Sequence, residues 1–195
     1  MDKQTIRQEI LSQRDNQAPD EIEAKSRKIA QRLFGLPEFK KAGVVMFYLS
    51  FKSEVKTEKM IEKALRLKKR VVIPVVKKGK KGMLIAELKD QKKDLTVGDY
   101  GILCPKKTCL RPVDQEIIDL VIVPGAVFDE RCHRLGYGKG FYDRFLSRRE
   151  NKVTAVGLCF NLQVVSKVPE AKHDKQLDKV ITESRIITSY KKGRA

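Results

Sequence analysis

The sequence has no tryptophan, only two histidines (His133, His173) and only four cysteines (Cys104, Cys109, Cys132, Cys159). No two cysteines stand as C-x-x-C, and only two histidines are available to complete a zinc site, so structural zinc is not expected. Reduced thiols are expected, with a Cys104–Cys109 pairing as the alternative if their loop brings them together. No apolar run approaches the roughly 20 residues that cross a bilayer, and residues 1–7 lack the apolar core of a secretion signal. A soluble, cytoplasmic protein with no membrane partner is therefore expected. Neither the G-x-G-x-x-G of dinucleotide binders nor the G-x-x-x-x-G-K-[ST] of the P-loop is present. No internal repeat appears, and the only compositionally biased segment is the basic tail at 190–195, which is expected to fray.

Positive charge, in contrast, is abundant. There are 42 Lys and Arg against 25 Asp and Glu, a formal net charge of +17, and the pI is near 9.8. Clustered basic residues gain affinity for nucleic acid by releasing phosphate counterions. Here the basic runs at 68–70, 77–81, 92–93 and 106–107 are spread along the chain and lack the interleaved aromatics of a stacking platform. A solvated charged surface is favoured over nucleic-acid binding, and the 34% charged fraction also fits surface ion networks of a heat-adapted protein. With 41% hydrophobic residues in 195, one core can bury roughly 70% of the unfolded surface. A single domain over 1–195, monomeric, is expected.

Apolar periodicity predicts helices over residues 3–16 and 20–33, then a buried strand at 44–48, a helix at 57–68 and a strand at 71–76. Residues 77–82 read as a reversal into a strand at 83–88. A further strand is predicted at 119–124 and another at 153–160, with a helix between them. Strands alternating with helices point to an α/β fold: one three-layer domain, a mainly parallel central sheet with helices on both faces, and a ligand at the carboxyl ends of the strands.

The segment from Val123 to Asp129 (VPGAVFD) leads towards Arg134 to Arg144 (RLGYGKGFYDR). Gly136, Gly138 and Gly140 can take backbone angles closed to other residues, so successive amides can face one concavity around an anion. Lys139 adds a mobile ammonium. A helix starting near Gly140, anchored by Phe141, Tyr142, Phe145 and Leu146, would turn its free N–H groups on the loop. This reads as a glycine-rich phosphate loop after a central strand; a plain tight turn is the alternative. A triphosphate also needs a divalent cation, which Asp143 is placed to hold unless it pairs with Arg144 or Arg148. His133 and His173 read as polar loop groups rather than catalytic bases.

PGAVFD followed by RLGYGKGFYDRFL resembles the signature of the 5-formyltetrahydrofolate cyclo-ligase (methenyltetrahydrofolate synthetase) family. KQTIR at 3–7 resembles the family's K-x-x-L-R, and LSFKSEVKT at 49–57 its substrate segment. His173-Asp174-x-x-Leu177-Asp178 with Val180 to Glu183 resembles its closing motif, so the resemblance spans almost the whole chain in order. It implies ATP and 5-formyltetrahydrofolate as ligands and Mg2+ as cofactor. ATP would meet Lys3, Gln4, Thr5, Ile6 and Arg7, and also Arg134, Leu135, Gly136, Tyr137, Gly138, Lys139, Gly140, Phe141 and Tyr142. Leu49 and Glu54 would line the folate site, and Tyr137, Gly138, Lys139, Gly140 and Phe141 would serve both ligands. Asp143 and Asp174 match the magnesium-associated aspartates, while Lys139 and Arg134 would stabilise phosphoryl transfer. Two positions depart from the pattern: Cys132 stands where the family often has glycine, and Phe141 where it has tyrosine. Cys132 therefore requires an altered turn if its φ is positive.

The implied reaction is ATP-dependent closure of 5-formyltetrahydrofolate to 5,10-methenyltetrahydrofolate, with release of ADP and phosphate through a phosphorylated formyl group. Other readings of the same residues remain open. Lys3 and Arg7, four apart on one helical face, can be solvated. Glu54 can be a charge near a helix start, and Asp174 a helix cap. The loop also suits a kinase or ligase of another small metabolite, and the charge suits an RNA-binding module.

Overall fold

The computed structural model describes residues 2–76, 82–98, 101–148, 153–171 and 173–190. Helix α1 (Lys3–Asp15) starts where the Asp2 side chain accepts hydrogen bonds from Gln4 N and Thr5 N, occupying two of the four amides that a helix start leaves unpaired. Helix α2 (Pro19–Gly35) carries proline in its first turn and buries Ile22, Ser26, Ile29 and Leu33 along one face. A short α3 (Pro37–Lys41) leads to β1 (Val44–Met46), and α4 (Glu58–Arg66) to β2 (Arg70–Val76). Strand β3 (Met83–Leu88) returns antiparallel to β2, with Val76 opposite Met83. The reversal expected at 77–82 lies, apart from Gly82, outside the described residues, as does most of the 190–195 tail.

Next come α5 (Gln91–Asp94) and the hairpin β4 (Leu95–Val97) and β5 (Leu103–Pro105). Strand β6 (Leu120–Val123), buried at every position, is followed by β7 (Val127–Asp129), β8 (Arg134–Leu135), α6 (Phe141–Arg148) and β9 (Thr154–Leu158). The chain ends through β10 (Val164–Val165), β11 (Lys179–Ile181) and β12 (Ile186–Thr188).

The main sheet has seven strands in the order β12-β11-β9-β6-β1-β2-β3. Its interior neighbours are parallel, and each edge strand is antiparallel to its neighbour. Alternate strand residues feed two apolar clusters, because successive side chains point to opposite faces. Val45, Val71, Leu120, Ile122 and Val156 pack with α2, α3 and α4. Met46, Val72, Val121, Val123 and Ala155 pack with Phe145 and Leu146 of α6 on the other face. The result is the expected α/β domain: a mainly parallel sheet with helices on both sides. No helix among the described residues is long and apolar enough to cross a membrane.

Several local features differ from those expected of the sequence. Strand β1 stops at Met46, although Phe47 N still donates to Val72 O at 2.9 Å. The segment read as a run into the glycine loop contains its own hairpin, β7–β8, which joins β10 in a separate three-stranded sheet. Its turn is organised by Asp129, fully buried, whose carboxylate accepts from the amides of Arg131 and His133 at 2.9 Å and Val168 at 3.0 Å. Within that turn Cys132 has φ of +64°, the left-handed region in which a side chain costs about 1–2 kcal/mol. This is the conformation that glycine would relieve.

Candidate active site

Strand order reverses between β1 and β6: from β1 the chain moves outwards to β2 and β3, and from β6 it moves the other way to β9 and β11. Loops leaving two such strands diverge, so a crevice opens at their carboxyl ends. A small cleft lies there, lined by Tyr48, Glu54 and Val55 after β1, Pro124 and Gly125 after β6, Leu158 of β9, Gln163 and Arg14. Gln163, buried, fixes the cleft floor, its Nε2 donating to both Gly125 O and Ala126 O at 3.0 Å.

The glycine loop crosses this end of the sheet between β8 and α6. Gly138 and Gly140 take φ of +91° and +60°, as a loop of this composition allows, whereas Gly136 does not. Gly136 leaves room for the Arg134 side chain instead: a Cβ there would lie 2.9 Å from Arg134 Nη1, so the end of that side chain would have to shift. Lys139 is exposed on the loop, and Arg144 Nη2 donates to its carbonyl at 2.8 Å. Phe141 opens α6 with the Arg144 guanidinium 5.2 Å from its ring centroid. Tyr142 packs against the second apolar cluster; its hydroxyl is buried, and that burial holds its pKa far above the ordinary tyrosine value.

Arg134 lies behind the loop with its side chain 3% exposed. Its Nη2 donates to Asp143 Oδ1 at 3.0 Å, while its Nε is buried with no hydrogen-bond partner among the described residues. Asp143 therefore pairs with Arg134, not with Arg144 or Arg148 as local spacing suggested; its Oδ1 also accepts from Lys175 N at 3.2 Å. Among the described residues Asp174 caps no helix. Its Oδ2 accepts from Ala171 N at 2.8 Å and from Lys3 Nζ at 2.5 Å. Among the described residues, Oδ2 of Asp143 and Oδ1 of Asp174 take no protein hydrogen bond. Two half-engaged carboxylates on neighbouring segments are the hard oxygen donors that Mg2+ prefers.

The amino-terminal residues divide. Lys3 reaches Asp174, and Arg7 Nε donates to Gly136 O at 2.9 Å, so both are engaged by the site instead of solvated. Gln4 and Thr5 are exposed, with their amides taken by Asp2, and Ile6 packs against the third apolar cluster. Leu135 is buried in that same cluster, so its side chain faces the core. Leu49 packs partly buried against the first cluster.

Glu54 is not simply a charge at a helix start. Its Oε2 accepts from Phe51 N at 3.0 Å, and its Oε1 accepts a very short hydrogen bond from the Tyr137 hydroxyl. Burial raises its pKa above the ordinary glutamate value, opposed by the hydrogen bonds from Tyr137 and Phe51 and by the charge of Arg14. Burial, together with the Glu54 carboxylate, also holds the Tyr137 hydroxyl well above its usual pKa. The loop thus touches α1 through Gly136 and the 51–54 turn through Tyr137.

Two participants were missed in the sequence. Arg14 left one signal, lying seven residues beyond Arg7 and thus two turns along the same helical face. Gln163 left none, because its partners become neighbours only when β7 folds beside β10.

The sequence profile of the 5-formyltetrahydrofolate cyclo-ligase family matches residues 1–183. A probable 5-formyltetrahydrofolate cyclo-ligase from Schizosaccharomyces pombe is 31% identical over 179 residues, covering 85% of this chain and 87% of that protein. The 5-formyltetrahydrofolate cyclo-ligase of Escherichia coli K12 is 31% identical over 178 residues, covering 91% and 98%. Among solved structures, the Aquifex aeolicus 5,10-methenyltetrahydrofolate synthetase superposes with a TM-score of 0.84 at 32% identity, covering 100% of this chain and 96% of the other.

Proposed function

This chain belongs to the 5-formyltetrahydrofolate cyclo-ligase family, and we propose that it converts 5-formyltetrahydrofolate to 5,10-methenyltetrahydrofolate at the expense of ATP, giving ADP and phosphate. The observation that carries this reading is the position of one loop. Gly136 O accepts from Arg7 of α1, while Tyr137 donates to Glu54 at the β1 end of the cleft. A nucleotide held by the loop and α1 therefore lies next to a substrate held by Glu54 and Leu49.

The chemistry needs that adjacency. A formamide carbonyl is a poor electrophile, and its oxygen is a poor leaving group. The formyl oxygen attacks the γ-phosphorus and the bond to ADP breaks, giving an imidate phosphate. The second folate nitrogen then adds to the formyl carbon and loses its proton; the C–O bond breaks, and inorganic phosphate departs with its electron pair. No protein nucleophile is required, because the attacking nitrogen is tethered, and well-oriented intramolecular reactions reach effective molarities of about 10⁵–10⁸ M.

The protein's tasks are alignment and charge stabilisation. Lys139, mobile on the exposed loop, meets developing charge on the transferred group. Arg134 contributes a buried guanidinium whose Nε has no hydrogen-bond partner among the described residues. Lys3 and Arg7 hold α1 against the closing segment and the loop. Asp143 and Asp174 would hold Mg2+, which when bound neutralises phosphate charge. Glu54 hydrogen-bonds the pterin or orients the formyl amide. The net charge of +17 attracts anionic ligands to the whole surface.

The test is turnover: 5-formyltetrahydrofolate with MgATP is expected to yield ADP and the methenyl-folate absorbance in equal amounts, and other formylated or carboxylated metabolites neither. ADP release without ring closure would assign the loop to a different small-molecule kinase or ligase. RNA binding that persists in moderate salt, with no folate turnover, would assign the chain to nucleic acid instead.

A further inference from the structure

The cation lining the cleft is Arg14, which lies outside the signature segments named above. It is 5% exposed, and a buried charge is tolerated only where it is paired or hydrogen-bonded. Its principal partners come from other parts of the chain. Its Nε donates to Ser53 Oγ at 3.0 Å, and its Nη1 donates to the Tyr137 hydroxyl at 2.8 Å. Its Nη2 lies 3.7 Å from the carboxylate of Asp15, which also accepts a very short hydrogen bond from Ser53. One planar guanidinium thus bridges α1, the 51–54 turn and the glycine loop.

We propose that Arg14 is a positioning residue for the folate half of the site, holding Tyr137 and the 51–54 turn so that Glu54 is presented to the substrate. The proposal rests on the reading above that Glu54 belongs to that half. Hydrogen-bond polarity supports it. A guanidinium can only donate, so the Tyr137 oxygen accepts from Arg14 and its proton is directed to Glu54 Oε1. The turn itself needs holding, because Lys52 within it takes φ of +51°, and a side chain in that region persists where its surroundings over-determine it. Arg14 through Ser53, and Phe51 N through Glu54 Oε2, supply that constraint.

Electrostatics gives a second consequence. The titratable or charged groups acting with Glu54 are Arg14 from α1, Lys56 from its own loop, Tyr137 from the glycine loop, Tyr48 from the end of β1 and Tyr142 from α6. Burial favours the protonated acid, and Arg14 opposes it. Removing that cation raises the Glu54 pKa, so the pH at which the ionised form dominates moves up.

The test compares wild type, Arg14→Gln and Arg14→Lys by calorimetric titration with 5-formyltetrahydrofolate and, separately, with MgATP, and by the pH profile of turnover. Arg14→Gln is expected to weaken folate binding about tenfold, the loss associated with hydrogen bonds from a charged group, to weaken MgATP binding by a clearly smaller factor, because Tyr137 and the glycine loop also face the nucleotide, and to move the acid limb of the profile to higher pH. Arg14→Lys keeps the charge but not the fork that spans Ser53 and Tyr137. It is expected to weaken folate binding about threefold with no movement of the acid limb, and it decides the matter if the glutamine variant does not fold. In a Tyr137→Phe background, Arg14→Gln should cost markedly less than in wild type, because the two act in series. Folate affinity and acid limb equal to wild type in the variants, or equal losses for folate and ATP, would overturn the positioning role while leaving the proposed reaction intact. A wild-type protein that binds no folate would remove the proposed reaction and this role with it.

Discussion

Replacing Asp143 by asparagine separates two roles that its position combines. In the native chain its Oδ1 accepts from Arg134 Nη2 at 3.0 Å and from Lys175 N at 3.2 Å. The guanidinium it faces is 3% exposed, so Asp143 is the counterion of a nearly buried charge. Breaking a buried ion pair costs about 3–5 kcal/mol. Asparagine keeps a carbonyl oxygen for both donors, and the Asp143 side chain is 19% exposed, which together bring the expected loss to about 2 kcal/mol. For a chain of this size each kcal/mol moves Tm by roughly 2–4 °C, so a fall of about 4–8 °C follows. Thermal unfolding in EDTA without nucleotide measures this term alone. Adding MgATP then raises Tm by mass action, and the variant should gain less than wild type because one proposed cation ligand has lost its charge. A Tm within about 1 °C of wild type in EDTA would refute the scaffold argument. A carboxylate serving only the cation would give the second effect without the first.

Two further substitutions probe the frame around the site. Cys132→Ala and Cys132→Gly both remove the buried thiol, but only glycine accommodates φ of +64° without strain, so the glycine variant should be the more stable by about 1 kcal/mol in urea unfolding; equal stabilities would contradict the strain. Asp94 accepts from Arg111 Nη1 and Nη2 and from the amides of Lys89 and Asp90, and the Arg111 hydrogen bonds in particular hold its carboxyl well below the ordinary value of 3.8. A depressed carboxylate stabilises the fold above its unfolded pKa and loses that contribution as pH falls through its folded one. Asp94→Asn should therefore cost about 1–3 kcal/mol at pH 7, and the difference from wild type should shrink steadily below about pH 4; a difference constant from pH 7 to pH 2 would contradict the assignment.

Folded and unfolded proteins share one sequence, and local order was largely legible in it. The spacing of Ile22, Ile29 and Leu33 marks α2, the apolar runs at 44–48, 71–76 and 119–124 mark interior strands, and the 134–142 segment marks the loop. Each of these rests on neighbours in the chain: helical faces, buried runs and glycines that open the backbone. The β7–β8 hairpin escaped notice because its short arms borrow their order from β10 and from the buried Asp129 carboxylate, which no local pattern announces.

What the sequence alone determined was the inventory: an α/β chain with strong positive charge, a glycine loop after an interior strand, and signature segments that fix the family. Tertiary structure decided which of those residues meet. Asp143 had nearby Arg144 and Arg148 as candidates but pairs with Arg134, nine residues back, because the loop turns the β8 arginine beneath the first turn of α6. Lys3 meets Asp174, and Arg14 joins Tyr137 to the Glu54 turn, only because the carboxyl ends of β1 and β6 bring α1, the loop and the closing segment to one end of the sheet. Charge and hydrogen-bonding capacity belong to residue types and can be read one letter at a time. Pairing depends on distance, and distances between remote letters exist only once the chain has folded.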